Sequence, residues 1–459
     1  MAHRNKSDSA RDRFSRNEKL SQHPDRSANH APRLLAQQQR IIALCGAIAM
    51  VDGFDTQSIA FVAPHLVHTW KISVSSFAPV FVAGLLASFV GAMIMGTLGD
   101  RIGRKRALLI SVSIFSASSL ATAMVDSISG LVLIRLATGF GLGGALPCSI
   151  ALASESVPVS RRESLVSMMF CGFPIGAAVG GFGTEAMIAA GGWKTVFIVG
   201  GILPVLIVGL FMWLVPGSER YGNRPRVGDS GIAADSIHAE EVSGHSHVLT
   251  LFSRQYVVST LHIWSTLFLS LLLTYFLLSW IPAVLSMNGG GAHTGIISAA
   301  LLNLGAVCGC LIIGRLADRY RPGKVIAAGF FAGAMAIYLI GASQHMPARI
   351  FIFAFLAGTL SIGAQMCAVS HSASVYDSTL RATGVGWALG FGRLGSIVGP
   401  LLGGILIHNQ VSPAQLFSFA GAISLAAGFS ILWIDGARHS TGIERARHSS
   451  AAQGQDTEG

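Results

Sequence analysis

The sequence predicts an all-α membrane protein of twelve transmembrane helices in two pseudo-symmetric six-helix halves. Three observations predict it. Apolar runs of about 20 residues, each able to cross a hydrocarbon core about 30 Å thick, recur along the chain. Charged residues make up only 12% of it, where soluble domains carry about 25%. Short polar motifs at the ends of the runs recur at one offset between the two halves. Glycine is abundant, at 54 residues, as it is where membrane helices approach closely. Strand-like alternation broken by turn signals does not occur, which argues against an outer-membrane barrel.

The runs fall at 41–63, 77–97, 106–125, 130–153, 165–189 and 193–215, then at 257–281, 295–316, 325–343, 350–373, 383–408 and 416–434. Their connections alternate in charge. Arg33 and Arg40 precede the first run; Arg101, Arg104, Lys105 and Arg106 follow the second; Arg161 and Arg162 follow the fourth. Arg315, Arg319, Arg321 and Lys324 follow the eighth, and Arg381 follows the tenth. The intervening connections hold only Lys71, Lys194 and Arg349. Basic residues stay on the cytoplasmic side, so both termini are expected there.

The organisation expected is a cytoplasmic disordered tail over 1–39, a six-helix half over 40–215, a cytoplasmic linker over 216–256, a second half over 257–435 and a cytoplasmic tail over 436–459. The N-terminal stretch lacks the apolar core of a secretory signal. The net charge of +10 resides between runs and in the tails, so it sets topology and does not point to nucleic acid. His238, His245 and His247 in the linker have no fixed metal-binding geometry, and the six cysteines all lie in apolar runs. No metal and no cofactor is expected.

The stretch "GTLGDRIGRKR" closes the second run and "GRLADRYRPGK" closes the eighth. Gly96, Leu98, Asp100 and Arg101 match Gly314, Leu316, Asp318 and Arg319 at one offset, and Arg161 and Gly172 match Arg381 and Gly392 at nearly the same one. A duplicated six-helix unit is the plan of a secondary transporter, with its substrate site near the midplane between the halves.

Four residues are charged and deep in the runs: Asp52, Asp55, Arg135 and Arg393. At about 1.5 Å rise per residue, Asp52 lies roughly 16 Å and Asp55 roughly 21 Å from the cytoplasmic end of the first span. Arg135 comes to nearly the level of Asp55, and Arg393, roughly 15 Å in, to that of Asp52. Asp52 and Asp55, three apart, share a helix face. A carboxylate whose partner changes during a conformational cycle can take up a proton on one side and release it on the other. These residues and Arg135 are therefore the proton-coupling candidates. A static Asp55–Arg135 pair joining the first and fourth spans is the alternative. Arg393 suits bidentate capture of a substrate carboxylate, with a snorkelling or ion-paired structural role as the alternative. A cavity for a flat ring needs apolar walls and a few polar groups, for which Trp264, Tyr275, Asn303 and Gln365 are candidates.

The loop Gly96-x-x-x-Asp100-Arg101-x-Gly103-Arg104-Lys105 resembles the signature of the major facilitator superfamily. "RLATGFGLGGA", with Arg135 and Gly139, looks like that superfamily's second signature. "DGFD" in the first run, "CGFPIGAA" in the fifth and "RATGVGW…GRLGSIVGPLLGG" in the eleventh are similar to the aromatic acid:proton symporters. The resemblance covers residues 40–434 apart from the linker, and "RYRPGK" departs from the basic run in the second copy of the loop. It implies the major facilitator fold and proton-coupled import of aromatic carboxylates, such as 4-hydroxybenzoate, protocatechuate or benzoate, by alternating access across a bacterial inner membrane. It places functional weight on Asp52, Asp55, Arg135, Glu155, Arg381 and Arg393. It also implies gating roles for Gly96, Asp100, Arg101, Arg104, Glu155, Arg161, Asp318 and Arg381. The partners expected are the substrate, protons and the lipid bilayer, with the chain a monomer. A carrier for another small organic acid, or a transporter-like aromatic-acid sensor, is the alternative. No nucleophile–base pair stands out, so an enzyme is not expected.

Overall fold

In the computed structural model, the described residues are 36–156, 168–169, 171–214, 250–253, 256–286, 291–343, 346–376 and 381–433. The first half comprises α1 (Ala36–Trp70), α2 (Ala78–Ile102), α3 (Arg104–Thr122), α4 (Ile128–Ser156), α5 (Gly172–Gly191) and α6 (Lys194–Leu214). The second comprises α7 (Val257–Leu285), α8 (Gly291–Arg319), α9 (Pro322–Ala342), α10, α11 (Arg381–His408) and α12 (Pro413–Trp433). Helix α10 runs Pro347–Ala357, widens to a π segment at Gly358–Ile362 and continues over Gly363–Val375. Every sequence-predicted run finds its helix. The tails and nearly all of the linker lie outside the described residues.

Ten of these helices are long and apolar enough to cross a membrane. The other two, α1 and α3, carry most of their mid-helix polar residues on the inside. Asp52, Asp55, Gln57 and Ser58 of α1 are buried, as are Ser111, Ser116, Ser118, Ser119 and Thr122 of α3. Met93, Leu133, Leu206 and Trp433 are exposed, and on a bundle solvated by lipid tails they need no cover. The α2–α3 turn is made at Gly103 with φ 93°, a left-handed conformation that glycine adopts without strain.

Within each half, helices pack through backbone-to-backbone contact at glycine. A Cβ at Gly53 of α1 would lie 1.9 Å from the Phe173 carbonyl oxygen of α5, and one at Gly176 of α5 would lie 1.8 Å from that of Met50. Residues from "DGFD" and "CGFPIGAA" therefore meet in a single α1–α5 contact. Gly139 and Gly143 of α4 approach the carbonyls of Gly84 and Ser88 on α2 in the same way. Gly392, Gly395, Gly399 and Gly403 line α11 where it meets α7.

The halves meet along two seams at the end of the bundle marked by Trp70. Gly404 of α11 faces Ala78 of α2, and Phe81 of α2 packs edge-on against Trp280 of α7 with ring centroids 5.3 Å apart. The Trp280 indole N–H donates to the Pro400 carbonyl at 3.0 Å, which locks the ring in place. In the second seam α5 runs antiparallel to α8, with Gly181 against Ala300 and Glu185 paired to His293. One apolar core containing Phe61, Leu66, Phe77, Trp280, Val284 and Ile296 fills the space between.

The glycine contacts make a stability prediction. Gly176→Ala forces two backbones apart and should cost about 1–3 kcal/mol, seen as a lower apparent melting temperature in detergent. Gly209→Ala, where a Cβ meets nothing within 4 Å, should leave that temperature unchanged or slightly raised.

Candidate functional site

Four consecutive residues of α1 point in four directions, because each is turned about 100° from the last. Gly53 meets the α5 backbone, and the Phe54 ring fills the space above Gly180 and beside Gly200. Asp55 turns into the first half and Asp52 lies three residues earlier. The local sequence thus uses its small and aromatic residues to seat the helix and leaves two carboxylates to answer.

Asp55 is wholly buried and fully answered. Arg135 Nη1 of α4 donates to its Oδ2 at 3.1 Å, and Ser119 Oγ of α3 donates to its Oδ1 at 2.8 Å. Arg135 Nη1 also reaches the Asp55 carbonyl at 3.4 Å, and its Nη2 reaches Ser58 Oγ at 3.3 Å. The guanidinium lies 5.3 Å from the ring centroid of Phe197 on α6, close enough for a cation–π contact. Four helices of one half converge on this pair. In a low-dielectric interior such a pair is worth little against apolar packing, but removing one partner costs about 3–5 kcal/mol.

Asp52 is buried too, yet its surroundings differ. Thr56 Oγ1, one turn on, donates to Asp52 Oδ1 at 3.2 Å. Arg393 of α11 and Tyr275 of α7 lie within electrostatic reach of it and of one another. Asp52 belongs to the first half, and Tyr275 and Arg393 to the second. The three groups therefore straddle the division between the halves. Arg393 is exposed rather than packed inside the bundle, so its planar donors are open to a bidentate anion such as a carboxylate.

The remaining sequence candidates spread out. Trp264 lies in the α7–α11 seam, stacked on Phe391 at 5.3 Å and Trp387 at 6.2 Å. It is roughly 16 Å along α7 from Tyr275, so it is not at the same level. Asn303 of α8 is buried and gives its amide N–H to the Ala299 carbonyl at 2.9 Å. Gln365 of α10 is buried three residues after the π segment. Among the gating candidates, Arg104 Nη1 reaches back to the Gly96 carbonyl at 3.4 Å across the Gly103 turn. Arg101 and Asp318 are exposed. Arg161, and the side chains of Asp100, Glu155 and Arg381, lie outside the described residues. Among those residues no group of three or more His, Cys, Asp or Glu could hold a metal ion. Sequence reasoning missed Ser119, Ser58 and Phe197 as partners of the ion pair. The serine-rich stretch "SVSIFSASS" in α3 is the signal that could have led to Ser119.

The Major Facilitator Superfamily profile matches residues 45–379 and 292–454. The gallate transporter of Pseudomonas putida is 34% identical over 413 residues, 87% of this chain and 92% of that one. The 4-hydroxybenzoate transporter PcaK of Acinetobacter baylyi is 33% identical over 422 residues, 88% of this chain and 92% of that one. Among solved structures, the inward open conformation of the xylose transporter XylE from E. coli is similar in fold. It has a TM-score of 0.66 and 17% identity, covering 85% of this chain and 95% of that one.

The buried pair predicts an asymmetric response to mutation. Arg135→Gln strands Asp55 without a counter-charge and should lower the apparent melting temperature by the equivalent of about 3–5 kcal/mol. The double change Asp55→Asn with Arg135→Gln should recover part of the loss. Thermal unfolding of the purified protein checks both.

Proposed function

The chain belongs to the major facilitator superfamily, and from that premise we propose that it imports aromatic carboxylates together with protons. The observation that carries this is the trio of Asp52, Tyr275 and Arg393. It sets one exposed guanidinium of the second half within electrostatic reach of a buried carboxylate of the first half and of a phenol. The names of the relatives, gallate and 4-hydroxybenzoate transporters, support a ring carboxylate as cargo. Arg393 anchors the substrate carboxylate bidentately. Tyr275, Asn303 and Gln365 supply polar contacts to the ring substituents, and Trp264, roughly 16 Å along α7 from Tyr275, lines the substrate's path toward the basic end of the bundle rather than the same level of the site.

Coupling follows from competition for one cation. With Asp52 ionised and the site empty, Arg393 is neutralised by it. A proton on Asp52 releases Arg393 for the substrate carboxylate, so proton and substrate favour each other. Asp55 and Arg135 complete the proton-coupling set by holding α1 against α3, α4 and α6. The positive-inside distribution supports both termini in the cytoplasm and the bacterial inner membrane as the location. The Trp70 end then faces outward. Its packed seams, with Arg393 exposed, support reading this conformation as inward-facing. Gly96, Asp100, Arg101, Arg104, Glu155, Arg161, Asp318 and Arg381 belong to the cytoplasmic gate of the same cycle.

Energised cells should accumulate labelled 4-hydroxybenzoate, and a protonophore should collapse that accumulation. Uptake that survives the protonophore contradicts the coupling. Arg393→Ala should raise the KM roughly 10- to 100-fold through loss of a charged hydrogen-bond partner.

A further inference from the structure

We propose that Glu185 and His293 form the outer latch of the transport cycle, a contact that holds the periplasmic side closed and breaks each time it opens. Glu185 ends the second seam on α5 of the first half, and His293 begins α8 of the second. The His293 ring donates through Nδ1–H to Glu185 Oε2. The Asp55–Arg135 and Lys194–Asp126 pairs each stay within the first half, whereas this one joins the two. Separating α5 from α8 at the Trp70 end therefore breaks it, and rocking within either half does not.

Its surroundings suit a contact that is made and broken in water. The His293 side chain is 63% exposed and that of Glu185 33%. A crevice of about 450 Å³ beside them is lined by His65, His68 and Thr69 of α1 and by Ser286 and Ala292 of the second half. His65 lies within electrostatic reach of both Glu185 and His68. A pair this wet shifts an equilibrium by about 1.5- to 5-fold. That is enough to favour the closed side and little enough to be overcome each turn.

The latch rests on alternating access as proposed above, and its test is independent of the cargo. Hydrogen exchange is measured on the purified full chain for wild type, Glu185→Gln, His293→Gln and the exchanged pair Glu185→His with His293→Glu. Each single variant should raise exchange by about 1.5- to 5-fold in the outer turns of α5 and α8. It should do the same around Phe81 and Trp280, which lie on the other seam. The exchanged pair should restore protection at both. A merely local role would loosen α5 and α8 alone, and that result, or no change, or no restoration by the exchanged pair, overturns the latch. Uptake of labelled 4-hydroxybenzoate by wild type is measured alongside. If wild type fails to accumulate it, the cargo reading falls while the exchange data still decide the latch.

Discussion

A carboxylate in the interior of a membrane bundle must be answered, and the answer given to Asp55 organises the first half. Arg135 on α4, Ser119 on α3 and the Phe197 ring on α6 all close on it or on its partner. One residue earlier Phe54 packs over glycines of α5 and α6, and one before that Gly53 brings α1 into backbone contact with α5. The rotation of α1 is therefore set by apolar packing and charge together. That rotation is what aims Asp52 toward the second half.

The two aspartates are three residues apart and do different things. Asp55 is neutralised inside one rigid unit, so the movement of the halves leaves its partners in place. Asp52 is held by a neutral hydroxyl, and the cation that acts on it belongs to the opposite half. A change in the relative position of the halves therefore changes the electrostatic environment of Asp52 and not that of Asp55. This division of labour is the physical reason to place the proposed proton-linked event at Asp52, with Asp55–Arg135 as the frame that keeps it aimed.

Much of this was legible in the sequence. Apolar length found every helix, and counting 1.5 Å per residue put Asp55 level with Arg135, which the structure brings to 3.1 Å. Depth alone also set Asp52 level with Arg393. Rotation about a helix axis was less legible, because it depends on which neighbour each face meets. Trp264 has the same composition signal as Tyr275, yet it stacks into the α7–α11 seam well below it. The serine-rich stretch of α3 pointed to polar residues there but not to which of them, Ser119 included, meets Asp55. Glu185 and His293 lie 108 positions apart at the ends of spans, where charged residues are ordinary, and only the α5–α8 packing makes them a pair.

The central claim is that aromatic carboxylate and proton cross together because both act on Arg393 and Asp52. The most direct test is internal pH in liposomes containing the purified protein and a trapped pH-sensitive dye. With no pH difference imposed, an inward gradient of 4-hydroxybenzoate should acidify the interior faster than in protein-free liposomes, and Asp52→Asn should abolish that excess. Protein-dependent entry of labelled substrate without excess acidification would contradict the account.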